Sequence, residues 1–404
     1  MLELPHIRYL CLVREVYRHR RIGVAATKVH LSQPAATQSL ARVEELLNVQ
    51  LFERESRGMV PTQAGSIFEK RLIRILEHLQ RGDKLARRKA ARRSGDDPNK
   101  AFYRNCSLVQ IRALLAVAKA GSFSQAAKDL GVSQPGVHRA TRDLAAMSGI
   151  TLFDQVRGGI VLTPAAESFV HQVRLALSEL QQSVYEITEF MGRATTRINV
   201  GSLPLSRVSI LPAAIDELLR EAGSGVQVNC VDARYPSLLR DLRFGDLDFL
   251  IGALRFPKPA ADIEQEELFN DDLAIVTAVD HPLAQKKDVT IKDTTDYPWV
   301  ALPKDTPTGK YLFDMLRIHE QAESPVRIVS SSLVLLRGLL ACGDYVSIAS
   351  TRQIEVEEQQ GQLVRLPIAL PESHRPIGLT FRKGWTPTSV QRRFLDIVRE
   401  KSRD

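Results

Sequence analysis

Polar side chains follow the starts of two predicted helices, at spacings that place them on one exposed face. Near the first start these are Gln33, Thr37 and Gln38, and near the second they include His138 and Arg139. Amide, hydroxyl, imidazole and guanidinium groups can hydrogen-bond base edges or phosphates. The alternative is that these are solvated polar positions and that His138 is an ordinary surface histidine. The sequence shows no Ser-His-Asp order, metal-ligand spacing, glycine-rich phosphate loop or paired carboxylates, so we expect a binding protein rather than an enzyme.

The elements that carry these side chains occur twice. An Ala-Ala pair, five further residues and Ser-Gln-Pro begin at Ala25, and the same pattern returns at Ala126. The offset of 101 residues continues without a gap through Leu51/Leu152, Phe52/Phe153, Val60/Val161, Thr62/Thr163, Ala64/Ala165 and Phe68/Phe169. A shared register over this span predicts a duplicated domain of roughly 90 residues, since solenoid repeats are shorter, about 20–50 residues.

Each copy has the local chemistry of two helices joined by a short turn. Ser32 can cap a helix start through its hydroxyl, and Pro34 fits the first helical turn because its missing N–H is not needed there. A short helix with the small Ala25-Ala26 pair precedes it. This arrangement predicts a helix-turn-helix, whose second helix enters the DNA major groove. Residues 51–62, with Arg54 and Arg57, are expected to form a small β-wing.

The predicted DNA-contacting residues are therefore placed on the second helix and the wing of each copy. They are Ser32, Gln33, Pro34, Thr37, Gln38, Arg54 and Arg57 in the first copy, and Ser133, Gln134, Pro135, His138, Arg139, Arg142 and Arg157 in the second.

Residues 32–65 and residues 121–135 resemble the winged helix-turn-helix of LysR-type transcriptional regulators. The two copies depart from the family pattern differently. The first has Arg20-Arg21-Ile22 where the family usually has Gly-Ser-Phe, and the second has Gln155, Gly158 and Ala166 where the wing usually has two arginines and a glycine. The family normally has one such domain. Two hypotheses follow: both copies bind DNA, or one does and the other is a protein-interaction or dimerisation module.

Charge is concentrated at the N-terminal end. Of the net charge of +8, residues 1–105 contribute +10, residues 106–195 contribute +1 and residues 196–404 contribute −3. A basic module on a near-neutral remainder favours a polyanionic partner at one end. Within it, seven of the 13 residues 81–93 are basic, either to neutralise phosphates or as a solvated helix end. Residues 94–99 (Ser-Gly-Asp-Asp-Pro-Asn) have the composition of a linker.

The cysteines and apolar segments indicate a cytoplasmic protein. Cys11, Cys106, Cys230 and Cys342 are isolated from one another, as expected of reduced thiols, although a redox switch between the last two is an alternative. The N-terminal residues lack a signal peptide's apolar core. No apolar run approaches the roughly 18 residues of a membrane span.

Residues 163–193 carry a continuous apolar stripe that predicts one long amphipathic helix. Such a stripe requires a partner helix. The family's linker helix pairs two subunits, so the resemblance implies dimerisation here. Packing within the same chain is the alternative.

From Arg197 onward, predicted strands and helices alternate, with one helix expected over residues 204–220, and this alternation is typical of α/β domains with parallel strands. Residues 245–252, 281–284 and 339–348 resemble the family's effector domain, which is similar to a two-lobed periplasmic binding protein. Residues 197–254 are most similar to the branch typified by the galactose-binding-protein regulator. A solute-binding transport protein shares this fold, but the N-terminal modules and the missing export signal disfavour that reading.

Ligands of such folds bind between the lobes, where helix N-termini offer free N–H groups. The resemblance places effector contacts at two serine-containing loops, with Arg234, Tyr235 and the loop 302–306 completing the site. The candidates are Ser202, Leu203, Arg234, Tyr235, Ser330, Ser331 and Ser332. The serines could instead be helix caps only. Hydroxyl and N–H groups suit a small carboxylate or a sugar-like metabolite.

The sequence thus predicts a multidomain regulator: two all-α winged helix-turn-helix domains followed by an α/β, periplasmic-binding-protein-like effector domain. The expected boundaries are 1–80 (first winged domain), 81–105 (basic helix end and linker), 106–165 (second winged domain), 166–195 (linker or dimerisation helix) and 196–404 (effector domain). Lobe I is expected at 196–273 and 376–404, and lobe II at 274–375. The expected partners are double-stranded promoter DNA, a small metabolite, further copies of the chain as a homodimer or homotetramer, and RNA polymerase. No cofactor, metal or membrane partner is expected.

Overall fold

A computed structural model describes residues 5–90, 101–193, 195–208, 210–320 and 323–403. The chain divides into two compact units, Met1–Thr196 (unit 1) and Arg197–Asp404 (unit 2). The predicted linker 94–99 and the last arginines of the basic run, Arg92 and Arg93, lie outside the described residues.

The first copy in unit 1 is a helix-turn-helix followed by a wing and a long helix. Its elements are α1 (Ile7–His19), α2 (Ile22–Lys28), α3 (Gln33–Leu47), β1 (Phe52–Glu55), β2 (Gly58–Pro61) and α4 (Gln63–Lys89). The Ser32 hydroxyl accepts a hydrogen bond from the Ala35 N–H (3.4 Å), and Pro34 lies in the first turn, as predicted. The antiparallel strands β1 and β2 form the predicted wing.

The wing is held against the end of α1. The Met59 N–H donates to the Arg20 carbonyl at 2.8 Å. Gly58 has φ +123°, and a Cβ there would lie 2.3 Å from the Arg20 oxygen. Only glycine fits this close approach.

The second copy repeats these elements after residue 101. Its elements are α5 (Leu108–Ala120), α6 (Phe123–Leu130), α7 (Gln134–Ser148), β3 (Phe153–Val156), β4 (Gly159–Leu162) and α8 (Pro164–Phe190). Both ends of α5, α7, β3, β4 and α8 lie 101 residues after those of α1, α3, β1, β2 and α4. The sequence repeat is therefore a repeat of structure.

Helices α4 and α8 pack antiparallel against each other within the chain. His78 of α4 contacts Gln172 of α8 (2.9 Å), whereas Arg71, earlier in α4, contacts Glu179, later in α8 (2.8 Å). One apolar core joins residues of both copies; among them are Leu72, Ile75, Leu79, Phe169, Val173, Ala176 and Leu180. Of the two alternatives for the α8 stripe, the structure shows packing within the chain.

Unit 2 contains two five-stranded sheets with helices between strands. The first, in the order β6-β5-β7-β14-β8, consists of β5 (Thr196–Ser202), β6 (Val226–Asp232), β7 (Phe249–Ala253), β8 (Ile263–Asp271) and β14 (Arg375–Arg382). The second, in the order β11-β10-β12-β9-β13, consists of β9 (Leu273–Ala278), β10 (Trp299–Ala301), β11 (Val326–Val329), β12 (Val346–Ser350) and β13 (Leu363–Arg365). The chain passes between the sheets at Asp272 and again before Arg375. Two crossings of this kind define a two-lobed domain.

The helices of unit 2 are α9 (Ile210–Ala222), α10 (Tyr235–Arg243), α11 (Pro307–Lys310), α12 (Leu333–Cys342), α13 (Glu355–Gln359) and α14 (Ser389–Lys401). The sequence pattern predicted one helix over residues 204–220, and this was wrong. A short 3₁₀ turn at Pro204–Arg207 precedes α9 instead. Pro212 has no N–H to donate and its ring would clash inside a longer helix, so it fits the first turn of a new one.

Candidate DNA-binding surfaces and effector site

Five of the seven predicted contact residues of the first copy line one concave surface of about 1020 Å³ between α3 and the wing. Gln33, Pro34, Gln38 and Arg54 are exposed there, and Thr37 is half-buried. The Thr37 hydroxyl donates to the Gln33 carbonyl at 3.1 Å, which leaves its oxygen free to accept. The structure therefore brings together the recognition-helix candidates and one wing arginine.

Cations border this surface on two sides. Arg20 and Arg21, between α1 and α2, line it together with Arg54 of the wing. Arg57 lies at the wing tip with 88% of its side chain exposed, 3.8 Å from Glu55. Long exposed arginines of this kind can reach phosphates or a groove.

The second copy presents Gln134, Pro135, Arg139 and Arg142 as exposed residues of α7, and Arg157 at its wing tip. Ser133 caps α7, accepting from the Gly136 N–H at 3.3 Å. Ser133, Gln134, Pro135 and Arg139 correspond to contact positions of the first copy, whereas Arg142 and Arg157 correspond to Ala41 and Ser56.

His138 is less available than its neighbours. Its ring stacks on Phe123, with centroids 3.8 Å apart and planes inclined by 23°. Both rings border a concavity of about 400 Å³ that runs along the second half of α7, past Arg142, to Gly149. The imidazole thus has a packing role whatever else it contacts.

The exposed faces of the two copies differ in charge. At the 101-residue offset, Thr37, Gln38 and Ala41 of α3 correspond to His138, Arg139 and Arg142 of α7. In the wings, Arg54 and Arg57 correspond to Gln155 and Gly158. The first copy therefore carries its arginines on the wing, and the second carries most of them on the helix.

Part of the basic run at 81–93 is used inside unit 1. Arg87 pairs with Asp83 at 2.6 Å and lies over the Phe102 ring, 5.6 Å from its centroid. Arg81, Lys84, Arg88 and Lys89 are exposed. Among the described residues of this run, these four have the exposure that phosphate contact needs.

Among the predicted effector residues, Ser202 has the most informative surroundings. It ends β5 and is 1% exposed, and its hydroxyl has no hydrogen-bond partner among the described residues. The neighbouring Leu203 N–H donates to the Ile251 carbonyl at 3.0 Å. A buried hydroxyl without a partner costs free energy unless a ligand or water satisfies it.

The other serines serve the start of α12. The Ser332 hydroxyl accepts from the Leu335 N–H at 3.2 Å, and the Ser330 hydroxyl accepts from the Ser332 N–H at 3.1 Å. Ser331 is exposed. Two of the three hydroxyls thus have the capping role that was the structural alternative.

Arg234 and Tyr235 lie where the two lobes meet. Arg234 forms an ion pair with Asp305, which follows β10 of the other lobe. The Tyr235 hydroxyl is buried without a partner in the described part of the chain. Burial raises the pKa of Tyr235, against the opposing effect of the nearby Arg255. The phenol is therefore a neutral hydrogen-bonding group.

Two arginines at this place were missed by the sequence analysis. The Arg255 guanidinium lies 4.3 Å from the centroid of the Tyr235 ring and donates to the Ala253 carbonyl at 2.9 Å. No carboxylate of the described residues forms an ion pair with it. Burial lowers the pKa of Arg255, Tyr235 and the charge of Asp305 partly offset this, and repulsion from Arg375 lowers it further.

Arg375, in contrast, is neutralised. It donates to Asp271 at 2.8 and 2.7 Å, and Asp271 accepts from the Ser350 hydroxyl at 2.6 Å. Arg375 also donates a hydrogen bond to the Thr308 hydroxyl of lobe II. Arg255 lies two residues after the end of the buried strand β7, which is the sequence signal that could have identified it.

All four cysteines are free in the structure. Burial raises the pKa of the Cys106 thiol to about 12 and that of Cys11 to about 11, so neither is a ready nucleophile. Within the described ranges, no helix is long and apolar enough to cross a membrane, and no group of three or more His, Cys, Asp or Glu could hold a metal ion.

Family models match both parts of the chain. The LysR substrate binding domain matches residues 192–403, and the bacterial regulatory helix-turn-helix protein, lysR family, matches residues 7–66 and again 108–167. Since the first match covers more than half of the 404 residues, the chain belongs to the family of LysR-type transcriptional regulators. The predicted family and fold class are thereby confirmed.

Curated relatives agree with this assignment. The chain is 30% identical over 388 residues to the HTH-type transcriptional regulator GalR of Pseudomonas putida, covering 95% of this chain and 94% of that protein. It is 28% identical over 290 residues to the HTH-type transcriptional regulator PcaQ of Agrobacterium fabrum, covering 72% of this chain and 93% of that protein. The second match leaves more than a quarter of this chain outside it.

Among solved structures, a full-length OxyR variant from Pseudomonas aeruginosa is similar in fold. The TM-score is 0.51 at 22% identity, covering 74% of this chain and 94% of that one. The finer resemblance of the effector domain to the galactose-binding-protein-regulator branch stays a prediction.

Proposed function

We propose that this LysR-type regulator binds operator DNA through the exposed faces of α3 and α7 and through both wings. The contact residues are those predicted above. The observation that carries this proposal is the single concave surface formed by Gln33, Thr37, Gln38 and Arg54, bordered by Arg20 and Arg21. Amide groups suited to base edges and cations suited to phosphates lie side by side there.

A footprint on selected genomic DNA tests the residues. Gln33→Ala/Thr37→Ala should remove one part of the protected region, and Gln134→Ala/His138→Ala another. Glu77→Ala/Gln80→Ala, on the exposed side of α4, is the matched control and should leave the footprint intact.

The second candidate is a protein in which only the first copy binds DNA. The stacking of His138 on Phe123 and the absence of wing arginines at Gln155 and Gly158 favour it. An unchanged footprint for Gln134→Ala/His138→Ala would establish this second function.

Salt dependence tests the phosphate contacts separately. Arginines that neutralise phosphates release counterions, so affinity should fall steeply as salt rises. Arg54→Gln/Arg57→Gln should give a shallower slope than the wild type. Wild-type operator binding that did not weaken between low and moderate salt would contradict the phosphate part of the proposal.

We propose a small carboxylate as the effector. Arg255 supplies a half-buried positive charge, and the buried hydroxyls of Ser202 and Tyr235 supply hydrogen-bonding groups. An anion beside Arg255 would relieve its repulsion with Arg375. A sugar-like metabolite would hydrogen-bond the hydroxyls but would bring no negative charge to pair with Arg255.

Calorimetric titration of the full chain with a panel of small mono- and dicarboxylates and neutral sugars tests the class. Arg255→Gln should abolish carboxylate binding. Arg240→Gln, an exposed arginine of α10 paired with Asp241 at 3.1 Å, should bind like the wild type. Sugars that bound while carboxylates did not would overturn the assignment.

The regulatory output follows from coupling these sites. The effector would shift the two lobes between open and closed arrangements, and this would alter how chains of a homodimer or homotetramer space their recognition helices and bend DNA. RNA polymerase at the promoter would respond to that change. We assign no enzymatic activity, and the DNA partner favours the cytoplasm as the compartment.

A further inference from the structure

The contact between α4 and α8 is built from buried charges. Arg71, whose side chain is 3% exposed, bonds Glu179 at 2.8 Å and Glu186 at 2.5 Å and 3.0 Å. Arg74 bonds the other oxygen of Glu179 at 2.7 Å. His78 and Gln172 are 2.9 Å apart. Buried ion pairs that satisfy one another in this way specify which helix packs against which.

These contacts are related by a two-fold exchange of the copies. Adding 101 to His78 gives position 179, and subtracting 101 from Gln172 gives position 71. The contact His78–Gln172 therefore corresponds to the contact Arg71–Glu179 with the two helices exchanged. In a two-fold interface residue i contacts j and j contacts i, and the two copies show this pattern within one chain.

The chemistry of the contact distinguishes the copies, however. If α4 packed against a second α4 in this geometry, Arg71 would face His78. If α8 packed against a second α8, Gln172 would face Glu179. Either pairing loses the ion pair between Arg71 and Glu179. The side chains thus select α4 with α8.

The packing between the two helices also favours the pairing of α4 with α8. A Cβ added at Gly82 of α4 would lie 2.9 Å from the Gln172 Cβ and 3.2 Å from Phe169 of α8. Phe169 in turn contacts Phe102, with ring centroids 4.9 Å apart. Gly82 corresponds to Ser183, which is fully buried. The contact is therefore asymmetric in its packing: α4 has a glycine at this position, closely covered by α8, whereas α8 has a buried serine at the corresponding position.

We propose that one chain of this protein is a complete two-headed DNA reader, in which the paired α4 and α8 hold two unlike winged domains over two half-sites of one operator. This rests on the function proposed above and deepens it. Because the domains are related by a pseudo-two-fold axis, the half-sites have inverted orientation. Because the recognition faces differ, the half-sites differ in sequence. The operator is an asymmetric inverted pair.

The side chains indicate the bases. Arg139 and Arg142 of α7 suit guanine, whose O6 and N7 accept a bidentate pair of hydrogen bonds from arginine. Gln38 of α3, at the position that corresponds to Arg139, suits adenine, which pairs with a side-chain amide. The α7 half-site is thus richer in guanine, and the α3 half-site is richer in adenine.

Selection of duplexes from a random pool by the full-length chain tests the proposal. The wild type should recover an interrupted motif with two unlike arms. A second selection uses Thr37→His/Gln38→Arg/Ala41→Arg, which gives α3 the exposed face of α7 at half-buried and exposed positions only. Its recovered motif should become an inverted repeat of the guanine-rich arm. Glu77→Ala/Gln80→Ala serves as the control and should recover the wild-type motif.

The outcomes separate the proposals. A pool that shows no enriched motif would overturn the proposed DNA-binding function itself. A single enriched arm that the triple substitution leaves unchanged would show that only α7 reads DNA, and would overturn the two-headed reader while DNA binding stands. A wild-type motif that is already a perfect inverted repeat would also overturn it, because identical arms require identical faces.

Discussion

The two winged copies of unit 1 share a backbone and the Ser-Gln-Pro start of the second helix, but they differ at the later contact positions on that helix and on the wing. Three backbone positions with left-handed φ coincide at the offset: Arg20 (φ 56°) with Gly121 (63°), His30 (55°) with Gly131 (66°), and Asn48 (51°) with Gly149 (70°). The second copy uses glycine each time, and the first copy accepts a side chain. The comparison shows that the fold is fixed by caps, turns and core, whereas the recognition faces are free to diverge.

The same comparison applies to the long helices. Both α4 and α8 begin at a threonine cap, Thr62 or Thr163, whose hydroxyl accepts from a backbone N–H at 2.9 or 3.2 Å. Their inner faces are nevertheless unlike, because Arg71 corresponds to Gln172 and His78 to Glu179. Because their inner faces differ, α4 and α8 pair with each other more favourably than either helix would pair with a second copy of itself.

Removing Arg71, which forms the buried ion pairs between α4 and α8, should have the largest effect on the free energy of unfolding. Arg71→Ala leaves Glu179, which is 7% exposed, and Glu186 without this partner, and removing one member of a buried pair costs about 3–5 kcal/mol. Gln172→Ala, at the corresponding position in α8, should cost less because no charge is left behind. Both tryptophans, Trp299 and Trp385, are in unit 2. Denaturant unfolding followed by circular dichroism, with tryptophan fluorescence as the unit 2 reference, measures the difference.

Arg42→Ala is the control for that series, since Arg42 and its partner Glu45 are 67% and 70% exposed. It should leave unfolding nearly unchanged. Equal losses for Arg71→Ala and Arg42→Ala would contradict the role of the buried pair.

Overpacking at Gly82 should have the next largest effect. Gly82→Ala places a methyl group against Gln172 and Phe169, and such insertions cost about 1–3 kcal/mol. Ser183→Ala, at the corresponding position of α8, removes only a hydroxyl that donates to the Leu180 carbonyl at 2.7 Å. The same denaturation measurement should rank Gly82→Ala as the more destabilised. The reverse order would show that the two helices do not pack this closely.

Substitutions at the turn positions with left-handed φ should change the free energy of unfolding in opposite directions in the two copies. Gly131→Ala meets no atom within 4 Å, so its cost is the backbone penalty alone, about 1 kcal/mol. His30→Gly should be neutral or stabilising by up to about 1 kcal/mol, because it relieves that penalty in the first copy. Thermal unfolding measures both. Destabilisation by His30→Gly would mean that the imidazole contributes more than its backbone costs.

Acidification should weaken the α4–α8 contact by the smallest amount. Burial lowers the pKa of His78 below its ordinary 6.5, against the hydrogen bond with Gln172 and the charge of Glu179, while Arg74 and Arg81 lower it further. Near this pH the unfolded chain therefore binds more protons than the folded chain. The stability that neutral His78 contributes is complete above pH 6.5, and it is lost as the pH falls from 6.5 through the lower pKa of the folded state. His78→Gln should flatten that dependence, and His19→Gln, an exposed histidine of α1, should not. Hydrogen exchange of α4 at two pH values measures it.

The repeat, the caps and the wings could be predicted from the sequence because they depend on local residue types. Ser32, Pro34 and their counterparts at Ser133 and Pro135 determine helix starts wherever the helix later packs. The partner of α8 could not be predicted in this way, since an apolar stripe fits a second subunit as well as α4. The contact depends on which charges meet, such as Arg71 with Glu179, and that is a property of the folded chain.

The effector site shows the same limit. Ser202 was proposed from the family resemblance, in the loop that joins a strand to a helix, and the same reasoning selected Ser330 and Ser332, whose hydroxyls accept hydrogen bonds at the start of α12. Arg255 was missed because its importance lies in its surroundings, namely the Tyr235 ring and the absence of a described carboxylate partner. Residue type and spacing give positions along the chain, but burial and charge balance require the tertiary structure.

A spin-label distance measures whether α4 pairs with α8 of the same chain. Labels are placed at Glu77→Cys and Ser178→Cys, corresponding positions on the two helices, in a full-length chain whose exposed cysteines Cys230 and Cys342 are replaced by serine. Helices in contact lie about 8–10 Å apart, so pulsed double-resonance spectroscopy should detect a separation within roughly 25 Å. If the pairing is within one chain, this distance should persist when labelled chains are diluted tenfold, before folding, with unlabelled chains. A distance that disappears on dilution would show that α4 pairs with another chain and would contradict the two-headed reader.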